Sequence, residues 1–157
     1  MKTFDEQITD FNKLYKLPTS DVPIIPFSGP KELVTRLQDF QAILAEELKE
    51  GQVIELEATK RSELEILAEI ADWLGDIIVY CASEMRKFGI PFDLTLSTIM
   101  ASNMSKLGSD GKPIYDDRGK VMKGPDYWPP EPQLKSMLAA LIRQYQQEQT
   151  PAQGETK

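Results

Sequence analysis

Apolar residues recur at three- and four-residue intervals along most of the chain, and that spacing predicts helices. Phe4, Ile8, Phe11, Leu14 and Tyr15 keep this period behind Thr3-x-x-Glu6, a capping box that satisfies two free amides at a helix start. The first helix ends before Pro18. Residues 18–30 carry Pro18, Pro23, Pro26, Gly29 and Pro30, too much proline for a helix or a central strand, and predict an extended surface connector. A second helix is predicted from Pro30 to about Glu50, striped by Leu33, Val34, Leu37, Phe40, Ile43, Leu44 and Leu48, with Gly51 as its stop. Residues 52–61 fit either a continued helix or a short extended piece. Ser62-x-x-Glu65 is a second capping box, opening a third helix to about Phe88 that Gly89 ends. Pro91 opens a fourth, through Leu94, Leu96, Ile99 and Met100, ending near Gly108. Between 108 and 132 the period gives way to recurring glycine and proline, which predicts a structured loop. At about 25 residues it is long for a compact domain, and such loops are usually functional or disordered. A last helix over 132–148 carries Leu134, Met137, Leu138, Leu141, Ile142 and Tyr145 on one face, and the polar residues 150–157 read as a flexible tail.

The elements add up to an all-α fold, a four-helix-type bundle with an extended Pro/Gly-rich loop, as a single domain over residues 1–149. With 157 residues, 41% of them hydrophobic, there is enough chain for one core. The stripes offer more apolar surface than one copy covers, which predicts a homodimer or homotetramer. The N-terminus lacks the apolar core of a signal peptide, and no stretch approaches the roughly 20 apolar residues that span a bilayer. A cytoplasmic protein with no membrane partner is expected.

Composition narrows the chemistry. There is no histidine and one cysteine, Cys81, so Ser-His-Asp and Cys-His catalysis, His- or Cys-built zinc sites and an intrachain disulfide are all excluded. Cys81 keeps helical spacing with Ile77 and Ile78 and reads as a buried core residue. Twenty-five acids against 18 bases give a charge of −7, which argues against a nucleic-acid polymer as partner. A nucleotide is not excluded, because a divalent cation reverses the sign of an acidic site.

The acids fall where a core stripe belongs. At 100° per residue, Glu47 lies roughly 40° from Ile43 and roughly 60° from Leu44 on the other side, within the apolar stripe of the second helix. Glu50 is one turn on and Glu46 flanks it. On the third helix Glu69, Asp72 and Asp76 share a face that adjoins Ile66, Ile70, Trp73 and Ile77. Burying several carboxylates without a cation is costly, and a divalent metal between the helices would relieve it. Oxygen ligands of this kind suit Mg²⁺, with Mn²⁺ as a substitute, or Ca²⁺. Acid pairs three residues apart also occur on ordinary solvated helices, so spacing alone leaves both readings open.

The order of the motifs goes further. Glu46-Glu47-Leu48-Lys49-Glu50, a spacer, then Glu69-Ile70-Ala71-Asp72 resembles the ExxE…ExxD signature of the all-alpha NTP pyrophosphatase superfamily. That group includes MazG, the dimeric dUTPases and the phosphoribosyl-ATP pyrophosphohydrolases. The resemblance continues through Asp72–Asp76, Gly89–Asp93, Ser102–Leu107 and Gly119–Tyr127, and covers roughly residues 30–130, the MazG-like core. It implies that Glu47, Glu50, Glu69 and Asp72 bind Mg²⁺, with Asp76 as a further metal ligand, and that Glu46 or Glu47 activates the attacking water, or Glu46 holds a further ion. It implies an oligomer as well. Asp76 stands where the phosphoribosyl-ATP enzymes carry a histidine, which favours a nucleoside triphosphate as substrate.

The long loop supplies the opposite charge. Residues 103–124 hold five bases and three acids, a local balance of +2. Lys106, Lys120 and Lys123 are candidate phosphate ligands. Asn103 is a candidate for phosphate, sugar or base, and Tyr127 and Trp128 for stacking on a base. Two look-alikes fail: Gly108–Pro113 has proline where a P-loop needs Ser or Thr, and Asp110, Asp116 and Asp117 miss the EF-hand register. The expected activity is Mg²⁺-dependent hydrolysis of a nucleoside or deoxynucleoside triphosphate to the monophosphate and pyrophosphate. The alternatives are a phosphoribosyl-ATP pyrophosphohydrolase of histidine biosynthesis and a non-catalytic helical protein that binds a partner.

Overall fold

The computed structural model describes residues 1–150; the predicted tail beyond Thr150 lies outside the described residues. Regular structure among them is all-α: five helices and two isolated β-bridges. None of these helices is long and apolar enough to cross a membrane. The chain divides into two compact units, residues 1–89 and the part from Ile90 onward.

The first unit contains α1 (Phe4–Leu14), α2 (Pro30–Glu57) and α3 (Glu63–Lys87). Both predicted capping boxes form: Thr3 and Glu6 exchange side-chain and backbone bonds at α1, as do Ser62 and Glu65 at α3. Helices α1 and α2 each pack on α3. The lock between α1 and α3 is polar. Asn12 is fully buried; its Nδ2 donates to the Ser83 carbonyl at 3.2 Å, and its Oδ1 accepts from the Ser83 hydroxyl at 2.6 Å. Asn12→Ala leaves the buried Ser83 hydroxyl without its acceptor and removes the second bond at the Ser83 carbonyl. It is expected to destabilise the protein by about 2–3 kcal/mol, read as a lower urea midpoint with unchanged slope.

The proline-rich connector is extended as predicted and runs along the end of α3. Ser20 N–H donates to the Arg86 carbonyl (3.1 Å) and Ile24 N–H to that of Phe88 (3.0 Å). Gly89 stops α3 with φ +66°, and a Cβ there would meet the Val22 carbonyl, so both backbone sign and space require glycine.

The predicted end of α2 is corrected. The helix runs through Gly51 to Glu57 instead of stopping near Glu50. Gly51 acts through packing: a Cβ there would lie 2.5 Å from the Trp73 ring, so its absence lets the indole settle on α2. Cys81 is half-buried, less enclosed than its spacing indicates. Large apolar side chains remain uncovered on α2 and α3, among them Leu48 (59% exposed), Leu56 (73%), Leu64 (77%) and Leu67 (62%).

The second unit pairs α4 (Phe92–Met104) with α5 (Glu131–Gln149). Helix α4 ends four residues before Gly108, because Leu107 is drawn into a bridge with Pro113. A second bridge joins Tyr115 and Val121, and the two tips turn at Gly111 and Gly119, with φ +74° and +77°. Ser102, almost fully buried, donates its hydroxyl to the Trp128 carbonyl (2.8 Å), and Trp128 N–H donates to Ser105 Oγ (3.2 Å). These bonds tie the loop to α4. Trp128 is thus a backbone anchor.

Candidate functional site

The acids of the first unit are positioned by the α2–α3 contact. Trp73 donates its indole N–H to the Glu47 carbonyl at 2.7 Å, fixing one helix against the other at the predicted site. Glu47 is buried, 8% exposed, as its place in the stripe predicts. Its Oε2 has no hydrogen-bond partner. Burial first, then the charges of Glu50 and Asp76, push its carboxyl above the ordinary range; a hydrogen bond with Tyr80 pulls the other way, and Glu46 adds a smaller push. Tyr80 is raised in turn by its own burial and by the charges of Glu47, Asp76 and Glu50. Three neighbouring carboxylates therefore act on Glu47, whose buried Oε2 has no hydrogen-bond partner.

The remaining acids stand beside them. Glu50, Glu69 and Asp72 line a depression of about 280 Å³ with Arg61 and Trp73. Arg61 forms an ion pair with Glu69. Sequence reading overlooked this arginine: it precedes the cap of α3, and only the turn between α2 and α3 brings it back over Glu69. Asp76 faces a different space, a cleft lined from α1, α2 and α3. Glu46 is exposed. Among the described residues no group of three or more acids is drawn tightly enough to hold a metal ion.

The chemistry of the donors still fits Mg²⁺. All are hard carboxylate oxygens, and the unpartnered Oε2 of Glu47 among like charges is the kind of atom a divalent cation satisfies. Glu47, Glu50, Glu69 and Asp72 are the residues that would hold it.

In the second unit, Lys106, Lys123, Asn103 and Tyr127 come together. Lys106 donates to Asn103 Oδ1 at 2.7 Å. The ammonium of Lys123 stands 4.5 Å from the centre of the Tyr127 ring, and that of Lys106 stands 6.0 Å from it. Two cations thus stand against one aromatic ring. Lys120 lies at a hairpin tip, where its N–H donates to Asp116 Oδ1 (2.8 Å).

No protein-family model matches the chain, and no curated protein does. Among solved structures it is similar to a provisionally named NTP pyrophosphohydrolase from Exiguobacterium sp. 255-15, at 23% identity and a TM-score of 0.49. The match covers 94% of this chain and 99% of the other.

Proposed function

We propose that the protein hydrolyses a nucleoside or deoxynucleoside triphosphate to the monophosphate and pyrophosphate, with Mg²⁺ held by Glu47, Glu50, Glu69 and Asp72. The observation that carries this reading is the buried, unpartnered Oε2 of Glu47 in the field of Glu50, Asp76 and Glu46. A merely structural carboxylate at such a position is expected to have a cation or a set of donors. Bound Mg²⁺ supplies neutralisation of phosphate charge and a water of lowered pKa. Either Glu46 or Glu47 orients the attacking water and takes its proton. Asp76 adds negative charge beside Glu47. Lys106 and Lys123 take phosphate oxygens, Lys106 steadied by Asn103, and Tyr127 keeps the two ammonium groups together. Lys120 joins the phosphate ligands from its hairpin tip. The uncovered leucines of α2 and α3 support assembly with a second copy, as a dimer or tetramer. With neither a membrane nor a nucleic-acid polymer as partner, the reading places the protein in the cytoplasm.

The test is incubation with Mg²⁺ and a panel of NTPs, dNTPs and phosphoribosyl-ATP, assaying pyrophosphate and orthophosphate separately. Pyrophosphate from triphosphates is expected. Orthophosphate alone, or turnover of phosphoribosyl-ATP only, would overturn the reading. Lys106→Ala and Lys123→Ala are each expected to lower kcat/KM about 10- to 100-fold, with unchanged helical content.

A further inference from the structure

Helices α1 and α2 lie against α3 and leave a cleft of about 600 Å³ between them. That volume suits a small organic ligand. Its walls are largely apolar and include Phe11, Tyr15, Phe40 and Val79, with polar groups gathered at the ends. One end holds Asp76 and Tyr80. Tyr80 is hydrogen-bonded to Glu47, so this end adjoins the acid cluster.

The other end holds Arg36, Glu84 and Lys87. Glu84 Oε1 accepts from Arg36 Nε at 2.7 Å; Oε2 accepts from Arg36 Nη2 and from Lys87 Nζ at 2.8 Å. Both carboxylate oxygens are therefore engaged. Arg36 carries five N–H donors and Lys87 three, more than Glu84 consumes. What this end has left to offer a ligand is mainly donors, about five spare N–H groups against about one spare lone-pair site on Glu84, backed by a net charge of +1. The buried carboxylate holds them in place before anything binds.

We infer that the cleft receives the base of the triphosphate, and that its Arg36–Lys87 end selects bases with a carbonyl oxygen where cytosine and adenine carry an amino group. The inference rests on the proposed hydrolysis for the triphosphate, but not for the cleft or its donors. A carbonyl accepts from the spare N–H groups. An amino group meets them donor to donor, leaving groups on both sides unpaired. The apolar walls provide faces for the ring. Uracil against cytosine and hypoxanthine against adenine are matched pairs in shape, differing in this exchange and in the proton on the ring nitrogen beside it.

Two measurements test it. In the first, kcat/KM is compared for dUTP with dCTP and for ITP with ATP, in wild type and in Lys87→Met. The oxo member is expected to lead by about tenfold or more in each pair, and the lead to shrink to within about threefold in Lys87→Met. In the second, wild-type protein without Mg²⁺ is titrated with unphosphorylated deoxyuridine and deoxycytidine by NMR. Shifts centred on residues 36–43 and 76–87 are expected, larger for deoxyuridine. This measurement needs no variant, so misfolding of Lys87→Met does not shelter the inference. Equal kcat/KM within both pairs overturns the selection. So does a preference that survives in folded Lys87→Met. Pyrophosphate release with no nucleoside shifts in the cleft overturns the cleft as base site and leaves the hydrolysis standing. Selective shifts without release from any triphosphate overturn the hydrolysis and leave the cleft's preference standing.

Discussion

Glu47→Gln is expected to abolish pyrophosphate release, lowering kcat by about 10²- to 10³-fold or more, the range for removing one preorganised electrostatic contact. The substitution keeps the volume and the apolar surroundings of the side chain but removes its charge. Glu47 is the acid whose surroundings are least suited to a charge without a cation: buried, with Oε2 unpartnered, and facing Glu50 and Asp76. Neutralising it relieves that repulsion, so the variant is expected to melt no lower than wild type in the absence of metal. Added Mg²⁺ is expected to raise the melting temperature of wild type and to raise that of Glu47→Gln less, since a ligand stabilises only the state that binds it. Pyrophosphate assay and thermal melts with and without Mg²⁺ check both statements. A Gln variant as active as wild type would remove Glu47 from the mechanism, and an equal Mg²⁺ shift in both would remove it from the ligand set.

The second large effect is on stability. Arg36→Leu is expected to destabilise the protein by about 3–5 kcal/mol, because it strips a buried carboxylate of its forked partner. The Glu84 side chain is 8% exposed and Lys87 alone would remain to hold it. Arg36→Leu with Glu84→Leu in the same chain is expected to recover much of the loss, since neither charge is then buried alone. Denaturant unfolding of the two variants measures this. The same pair sets a pH dependence. Burial pushes the Glu84 carboxyl up, but the hydrogen bonds from Arg36 and Lys87 and their charges outweigh it and hold the carboxyl below its ordinary 4.5. A lowered folded value means that the unfolded chain takes up the proton first. The stabilisation is complete well above 4.5, declines as pH falls through that value, and is gone once the folded carboxyl is protonated. Wild type is therefore expected to lose stability between neutral pH and pH 4 more steeply than the Arg36→Leu/Glu84→Leu chain.

Local signals in the chain were reliable wherever neighbours in sequence are also neighbours in space. Thr3 with Glu6 and Ser62 with Glu65 close their capping boxes within one turn, so the starts of α1 and α3 are legible without a fold. Glu47 in an apolar stripe is a statement about helical period, and its burial follows from that period alone. The joining of Asn103 and Lys106 belongs here too, being three residues apart at the end of α4.

Gly51 shows where such reading stops. A glycine after a long helical stripe is locally a terminator, yet here it sits mid-helix, because the indole of Trp73, 22 positions away, fills the space its missing Cβ leaves. Arg61 reaches Glu69 through the turn before α3, and Arg36 reaches Glu84 across 48 positions through helix packing, and no spacing rule contains either. What the amino-acid order determined by itself was the helices, their caps and one acid, Glu47, on an inward-facing position, since these depend on backbone periodicity and adjacent groups. Tertiary structure alone decided that Glu47 Oε2 is left without a partner, which acids acquired a cation, and that a largely apolar cleft opens between α1, α2 and α3. Those outcomes depend on how α1 and α2 seat on α3, and the free energy of a charge is set by what surrounds it in space.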